Sequence, residues 1–223
     1  MTRAAQKIVI AGGGTAGWMT AAALSRIVPA STKVTLIESS AIGTVGVGEA
    51  TIPPLADFNH MLGIDEHEFL RETGGTYKLG IDFVNWGREG DRYFHPFSAF
   101  GFDIDGLGFH QVWHWLGDKH QQPPLDVFNI GAQAAARAKF LRTSNDDPRS
   151  PLSQLRHAYH IDAGRYAGFL RRYAEQRGAV RIDGRIETTL KDQQTGDITG
   201  LTLESGETVT GDFFIDCTGF GAL

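Results

Sequence analysis

The sequence predicts an α/β fold built around a parallel sheet, and three consecutive features predict it. A β-branched apolar run, Lys7-Ile8-Val9-Ile10-Ala11, meets the glycine cluster Gly12-Gly13-Gly14-Thr15-Ala16-Gly17 with no linker between them. The Ala-, Leu- and Met-rich stretch from Trp18 to Ile27 reads as a helix that stops at Val28-Pro29, because a proline disfavours helical backbone at the residue before it. Lys33-Val34-Thr35-Leu36-Ile37-Glu38 then reads as a second strand closed by an acid. Nearly continuous apolar strands are those of parallel sheets covered on both faces, and a helix between two of them completes a βαβ unit.

Each glycine of the cluster has a distinct expected job. Gly12, Gly14 and Gly17 occupy the G-x-G-x-x-G positions: the first makes a tight turn, the second lets a pyrophosphate approach the backbone, and the third allows close helix–strand packing. The unpaired amides of the helix start, at Thr15, Ala16 and Gly17, and the positive end of the helix dipole favour a phosphate there. Glu38, about 20 residues on, accepts from ribose hydroxyls in such a unit. The unit predicts a dinucleotide and leaves FAD and a nicotinamide cofactor equally open.

Composition removes several function classes. Lys and Arg number 21 against 26 Asp and Glu, and the net charge of −5 argues against a general nucleic-acid binder. With 41% hydrophobic and 21% charged residues the 223-residue chain can bury a core and is unlike a disordered sequence. No run approaches the roughly 18 apolar residues of a membrane span, and Met1 to Lys7 lack the pattern of a secretory leader. The single cysteine, Cys217, excludes an internal disulfide framework and a multi-cysteine zinc site. These observations predict a cytoplasmic chain with no nucleic-acid or membrane partner.

The far end of the chain narrows the cofactor. Gly184 to Leu190, Ile198 to Leu203 and Glu207 to Thr210 read as a small antiparallel meander with turns at Thr195-Gly196-Asp197 and Ser205-Gly206. The meander leads to Asp212-Phe213-Phe214-Ile215-Asp216-Cys217-Thr218-Gly219, an apolar strand ending in D-x-T-G. This order resembles the flavoproteins with two dinucleotide-binding folds, in which such a strand passes close to FAD. The resemblance implies a Rossmann-like FAD-binding fold, with Asp216 and Gly219 near the cofactor. Ahead of the meander, Asp162 to Arg177 repeats apolar residues at helical spacing, and its arginines Arg165, Arg171, Arg172 and Arg177 read as a solvated face.

The middle of the chain carries a more specific likeness. Gly43 to Pro54 is too rich in glycine for regular structure and too apolar for an idle linker, and Thr76-Tyr77-Lys78-Leu79-Gly80-Ile81-Asp82-Phe83-Val84-Asn85-Trp86 sets a lysine ahead of an aromatic stretch. Five features stand in order: Gly17-Trp18-Met19, the strap Val47-Gly48-Glu49-Ala50-Thr51-Ile52-Pro53, the lysine segment, Tyr93-Phe94-His95-Pro96-Phe97, and Tyr159-His160-Ile161-Asp162-Ala163. Together they resemble the flavin-dependent tryptophan halogenases along essentially the whole chain.

That resemblance implies that FAD, used as FADH2 and supplied by a separate flavin reductase, reacts with oxygen and halide to give hypohalous acid. The acid crosses to a lysine beside a small aromatic substrate, tryptophan, indole or a related ring. Lys78 matches that lysine, either donating a hydrogen bond to the hypohalous acid or, as a neutral amine, becoming a haloamine. Val47, Gly48, Glu49 and Ala50 match the strap beside the flavin; His95 and Phe97 match positions near the aromatic substrate.

The chain also departs from the family. Trp113-His114-Trp115 is followed by Leu116-Gly117-Asp118, so it is not the family's W-x-W-x-I-P signature, and His110 with His114 lacks a third metal ligand. Family members are about twice as long, and their proton-accepting glutamate and halide-site residues fall beyond Leu223; Gly221 stands where relatives carry an arginine. The expectation is therefore an apparently truncated FAD-binding halogenase domain over residues 1–223, with 78–150 as an inserted substrate-side segment. An isolated product of this length is expected to be unstable or to aggregate, and to bind FAD weakly if at all, since a sheet lacking its last segment exposes apolar surface. Two alternatives stay open: a flavin-dependent aromatic hydroxylase, and an inactive FAD-binding remnant.

Overall fold

The computed structural model describes residues 5–43, 48–117, 122–144 and 146–223. In chain order its elements are β1 (Lys7–Ala11), α1 (Thr15–Ile27), β2 (Lys33–Glu38), β3 (Gly48–Ala50), α2 (Pro54–Leu62), α3 (Glu66–Thr73), β4 (Thr76–Lys78), β5 (Gly80–Val84), β6 (Arg92–Pro96), α4 (Phe109–Gly117), α5 (Ile130–Ala136), β7 (Ala158–Asp162), α6 (Ala163–Glu175), β8 (Val180–Asp183), β9 (Ile186–Lys191), β10 (Ile198–Leu203), β11 (Thr208–Thr210) and β12 (Phe213–Asp216). The chain divides into two compact units, one of Met1–Glu49, His60–Gly75 and Ile161–Leu223, the other of Ala50–Asn59 and Thr76–His160.

The first unit is an α/β layer structure. Four parallel strands run in the order β12-β1-β2-β8, with Ile10 opposite Ile215 on one side and Leu36 on the other. Alternation along the strands sends Val9, Ala11 and Ile37 to one face, where Leu201 and Leu203 of the β11-β10-β9 antiparallel meander cover them. Ile10 and Leu36, both fully buried, belong by the same alternation to the opposite face, where α1 lies against β1 and β2. α1 packs in turn against α6, whose apolar stripe of Tyr166, Ala167, Leu170, Tyr173 and Ala174 is buried. Tyr166 meets Phe69 of α3 edge to face at 5.4 Å, and the Tyr173 hydroxyl donates to the Leu62 carbonyl at 2.6 Å, satisfying its polar tip inside the core.

Some boundaries differ from the sequence reading. α1 begins at Thr15 rather than Trp18, so the last glycine of the cluster, Gly17, lies inside the helix. α6 starts after Asp162, whose carboxylate accepts the Arg165 amide at 2.8 Å as an N-cap. Within the stretch read as too glycine-rich for regular structure, Gly48–Ala50 is extended.

The second unit pairs β4 with β7 antiparallel, Tyr77 opposite Tyr159 and Lys78 opposite Ala158, and β5 with β6 as a hairpin. Tyr77, Phe140, His157 and Tyr159 form an aromatic cluster, with Tyr77 stacked on Phe140 at 3.9 Å. Fully buried Asn129 holds the loop after β6 by donating to the carbonyls of Ser98 at 2.7 Å and Ala99 at 3.0 Å, while capping α5 through Ala132.

Candidate functional site

In the first unit the glycine cluster connects β1 to α1, and the three motif glycines divide the work. Gly12 has φ +106, a backbone that side chains rarely adopt, and a Cβ there would collide with the Cys217 carbonyl at the end of β12. Gly17 sits against the Gly12 carbonyl, where any side chain would clash. Gly14 has an ordinary φ of −70 and nothing within 4 Å of its Cβ position, so nothing in the chain itself demands glycine there. The free space lies at the start of α1, a helix with no side-chain cap and no acid in its first turn. Unsatisfied amides beside an open glycine fit an anionic phosphate, so the residues present fit the diphosphate of a dinucleotide.

Glu38 ends β2 beside this loop, and its side chain lies over Gly13, where a Cβ would strike it. Its carboxylate accepts from Arg181 Nε of β8 on one oxygen and from Trp18 Nε1 of α1 at 3.2 Å on the other, with Arg171 of α6 at 3.9 Å. The hydrogen bond to Glu38 is the chief reason that the Arg181 guanidinium is held above its ordinary value. Two donors and a nearby guanidinium, from three elements, thus fix one carboxylate at the rim of the loop. Sequence reading missed Arg181 and placed Arg171 on a solvated face, because pairings over such sequence distances leave no local pattern.

Asp216 is taken up by the D-x-T-G turn. Its carboxylate accepts from the Thr218 hydroxyl at 2.6 Å, the Thr218 amide at 2.9 Å and the Leu223 amide at 2.9 Å. The Thr218 side-chain bond leads the causes that hold its carboxyl below the ordinary value. Gly219 turns the chain at φ +64 with open space around it. In the strap, Gly48 has room for a side chain, its nearest neighbour being the Ile161 carbonyl at 3.9 Å; Glu49 is half-buried and Ala50 exposed, and Val47 lies outside the described residues.

In the second unit Lys78 ends β4, and it is 8% exposed. Its Nζ donates to the Thr51 carbonyl at 2.9 Å and stands 5.2 Å from the centre of the Phe97 ring. Burial pushes the ammonium below the ordinary lysine value. Phe97 is held by its amide donating to the Leu79 carbonyl at 3.0 Å, so two of the expected site residues come together here. His95 is exposed on the hairpin face that carries Phe83 and Tyr93, edge-on to Phe83 at 6.5 Å. An open pocket of about 310 Å³ is walled by Tyr77, Lys78, Leu79, Phe94, Phe140 and His160, a mostly apolar lining suited to a flat ring. A pocket of about 350 Å³ in the first unit is lined by charges that pair with each other, such as Arg172 with Glu72 at 2.6 Å, and offers less to chemistry. Among the described residues no cluster of three potential metal ligands occurs.

Comparison with known proteins follows the same lines as the geometry. The family model described as tryptophan halogenase matches residues 7–223. Tryptophan 6-halogenase SttH of Streptomyces toxytricini is 34% identical over 98% of this chain and 45% of its own length, and tryptophan 7-halogenase RebH of Lentzea aerocolonigenes is 32% identical over 97% and 43%. Among solved structures, BrvH, a flavin-dependent halogenase from Brevundimonas sp. BAL3, superposes with a TM-score of 0.88 at 42% identity, covering 97% of this chain and 43% of that one. The chain therefore spans less than half the length of these relatives. Its fold is the Rossmann-like α/β fold of the flavin-dependent halogenases, and the chain belongs to the tryptophan halogenase family.

Proposed function

We propose that this chain provides the FAD-binding and lysine-bearing portion of a halogenase that acts on tryptophan, indole or a related electron-rich aromatic. One observation carries the reading: a buried lysine with a lowered pKa, tethered to the strap and facing an aromatic ring, in a chain that the family model covers from residue 7 to 223. Bound as FADH2, the flavin would supply the oxidising chemistry, with oxygen, that turns halide into hypohalous acid.

The chain's own residues do the rest. Gly12, Gly14, Gly17 and the amides of Thr15 and Ala16 cradle the diphosphate, and Glu38, pinned by Arg181 and Trp18, meets the ribose. Gly48, Glu49 and Ala50 run beside the flavin, and Asp216 and Gly219 shape the turn that closes that side. Lys78 receives the halogen species: its N–H groups hydrogen-bond and polarise hypohalous acid, or its neutral amine takes up the halogen as water leaves. The unit of Ala50–Asn59 and Thr76–His160 forms the substrate side, with Phe97 beside Lys78 walling the ring, whereas His95, exposed on the hairpin face that carries Phe83 and Tyr93, is not brought to that pair.

A separate flavin reductase supplies the reduced flavin. No helix among the described residues is long and apolar enough to cross a membrane, and the cytoplasm is the compartment that fits a reduced-flavin partner. The test is direct. The protein as purified from its source, supplied with reductase, FAD, oxygen, bromide and tryptophan or indole, yields a brominated ring by mass spectrometry; no brominated product in the presence of turning-over reductase sinks the reading.

A further inference from the structure

Lys78 is referenced at both ends to one strand. Its main chain, at the end of β4, pairs with Ala158 of β7. Its tip is held by the Thr51 carbonyl at 2.9 Å, and Thr51 is itself fastened to Tyr159, the next residue of β7. The Thr51 amide donates to the Tyr159 carbonyl at 2.8 Å, the Thr51 Oγ1 donates to the same oxygen at 3.0 Å, and the Tyr159 amide donates back to Oγ1 at 2.9 Å. The hydroxyl therefore acts as donor and acceptor at once, a pairing that neither alanine nor valine reproduces.

The arrangement matters because of what Lys78 lacks. Among the described residues no carboxylate pairs with it, so the Thr51 carbonyl is the one hydrogen-bond acceptor at Nζ. A lysine stem has several rotatable bonds, and a reacting group displaced by even an ångström loses much of its effect. We propose that Thr51 is a positioning residue for Lys78: its hydroxyl locks the strap peptide to β7, so that the Thr51 carbonyl holds Nζ at a fixed reach beside Phe97. The functional meaning rests on Lys78 handling the halogen, but the contact itself can be tested without halogenation.

The experiment is competitive acetylation of the whole protein, as purified, across a pH series, without added flavin, halide or substrate. Exposed Lys33 and Lys191 serve as internal references, and labelling is read lysine by lysine by mass spectrometry. At the alkaline end of the series, where the references are neutral too, burial and the Thr51 tether make Lys78 label more slowly than either of them in the unsubstituted protein. Thr51→Val keeps the carbonyl but loses both hydroxyl bonds to Tyr159, so the strap peptide that holds the tip loosens and Lys78 labelling rises by up to roughly tenfold relative to the references, while Thr51→Ser, which keeps the hydroxyl, returns it to near the original rate. Unchanged labelling in a folded Thr51→Val chain, or an equal rise in Thr51→Ser, overturns the proposal. Should the valine variant not fold, Thr51→Cys against Thr51→Ser makes the same comparison: faster labelling with the weakly bonding thiol supports it, and equal labelling overturns it. A result of this kind in a protein that fails to halogenate would sink the halogenase reading and leave the positioning role standing; the two failures are separable.

Discussion

Glu38 and Lys78 are both ionisable side chains drawn in from solvent, and their surroundings are opposite. Glu38 is met by two guanidiniums and an indole N–H, so its charge is compensated before any ligand arrives. Lys78 is met by one neutral carbonyl and a ring face, and burial drives it toward the neutral amine. A compensated charge is an anchor, since its carboxylate orientation is fixed while lone pairs remain for a hydroxyl donor. An under-compensated amine is reactive, because the electron pair that attacks a halogen becomes available nearer neutral pH. On the proposed function, the two units of the chain thus treat charge according to task, one for holding and one for chemistry.

Breaking the anchor side gives the largest expected effects. Made in the whole protein, Gly12→Ala forces a side chain into φ +106 and against the Cys217 carbonyl, so it should destabilise the first unit by about 1–3 kcal/mol and abolish FAD binding, read by thermal melts with and without FAD. Gly14→Leu separates folding from binding. Its Cβ position is open, so the melt without FAD should move little, while the flavin-dependent rise in melting temperature should vanish. If the two substitutions behaved alike, the division of labour among the glycines would be wrong.

Gly12 and Gly17 were legible because each answers a local demand, a φ value or one close contact, and Gly14 because the strand–glycine–helix–strand order confines the motif. The parallel strands β1 and β2 were legible for a related reason, their unbroken apolar runs. The pairing of Arg171 and Arg181 with Glu38 was not legible: an amphipathic helix carries arginines such as Arg171 on its polar face whether or not a carboxylate from another element reaches them, and Arg181 sits on a four-residue strand whose neighbour in the sheet is set only by the fold. Nor was the Thr51–Tyr159 exchange, which closes over 108 residues and uses a hydroxyl that in sequence looks like any other threonine. The position of His95, exposed on the hairpin beside Phe83, depends on which face of β6 it occupies, and a short aromatic run does not reveal that.

Smaller effects sharpen the contrast. Arg181→Met leaves Glu38 with Trp18 and Arg171, and should weaken FAD binding roughly tenfold with little change in binding of riboflavin, which lacks the adenosine ribose proposed as the partner of Glu38; equal weakening of both would make Arg181 merely structural. On the alkaline side the sign follows from Lys78. Its folded pKa lies below the unfolded one, so between the two values the unfolded chain binds more protons, and stability should rise with pH there; Lys78→Met should remove that slope. On the acid side Asp216 acts in reverse. Its folded pKa is depressed, so its contribution is present above the ordinary carboxylate value and lost as pH falls through the folded one, and Asp216→Asn should flatten the acid limb of a melt-versus-pH curve slightly.

The most direct measurement compares Lys78→Ala with the unsubstituted protein in the coupled assay, following brominated product and FAD binding in the same samples. The contrast between anchor and reactive amine predicts a loss of product of about a hundredfold or more with FAD affinity unchanged. Undiminished bromination in the variant, or a loss of flavin binding equal to the loss of product, would contradict it.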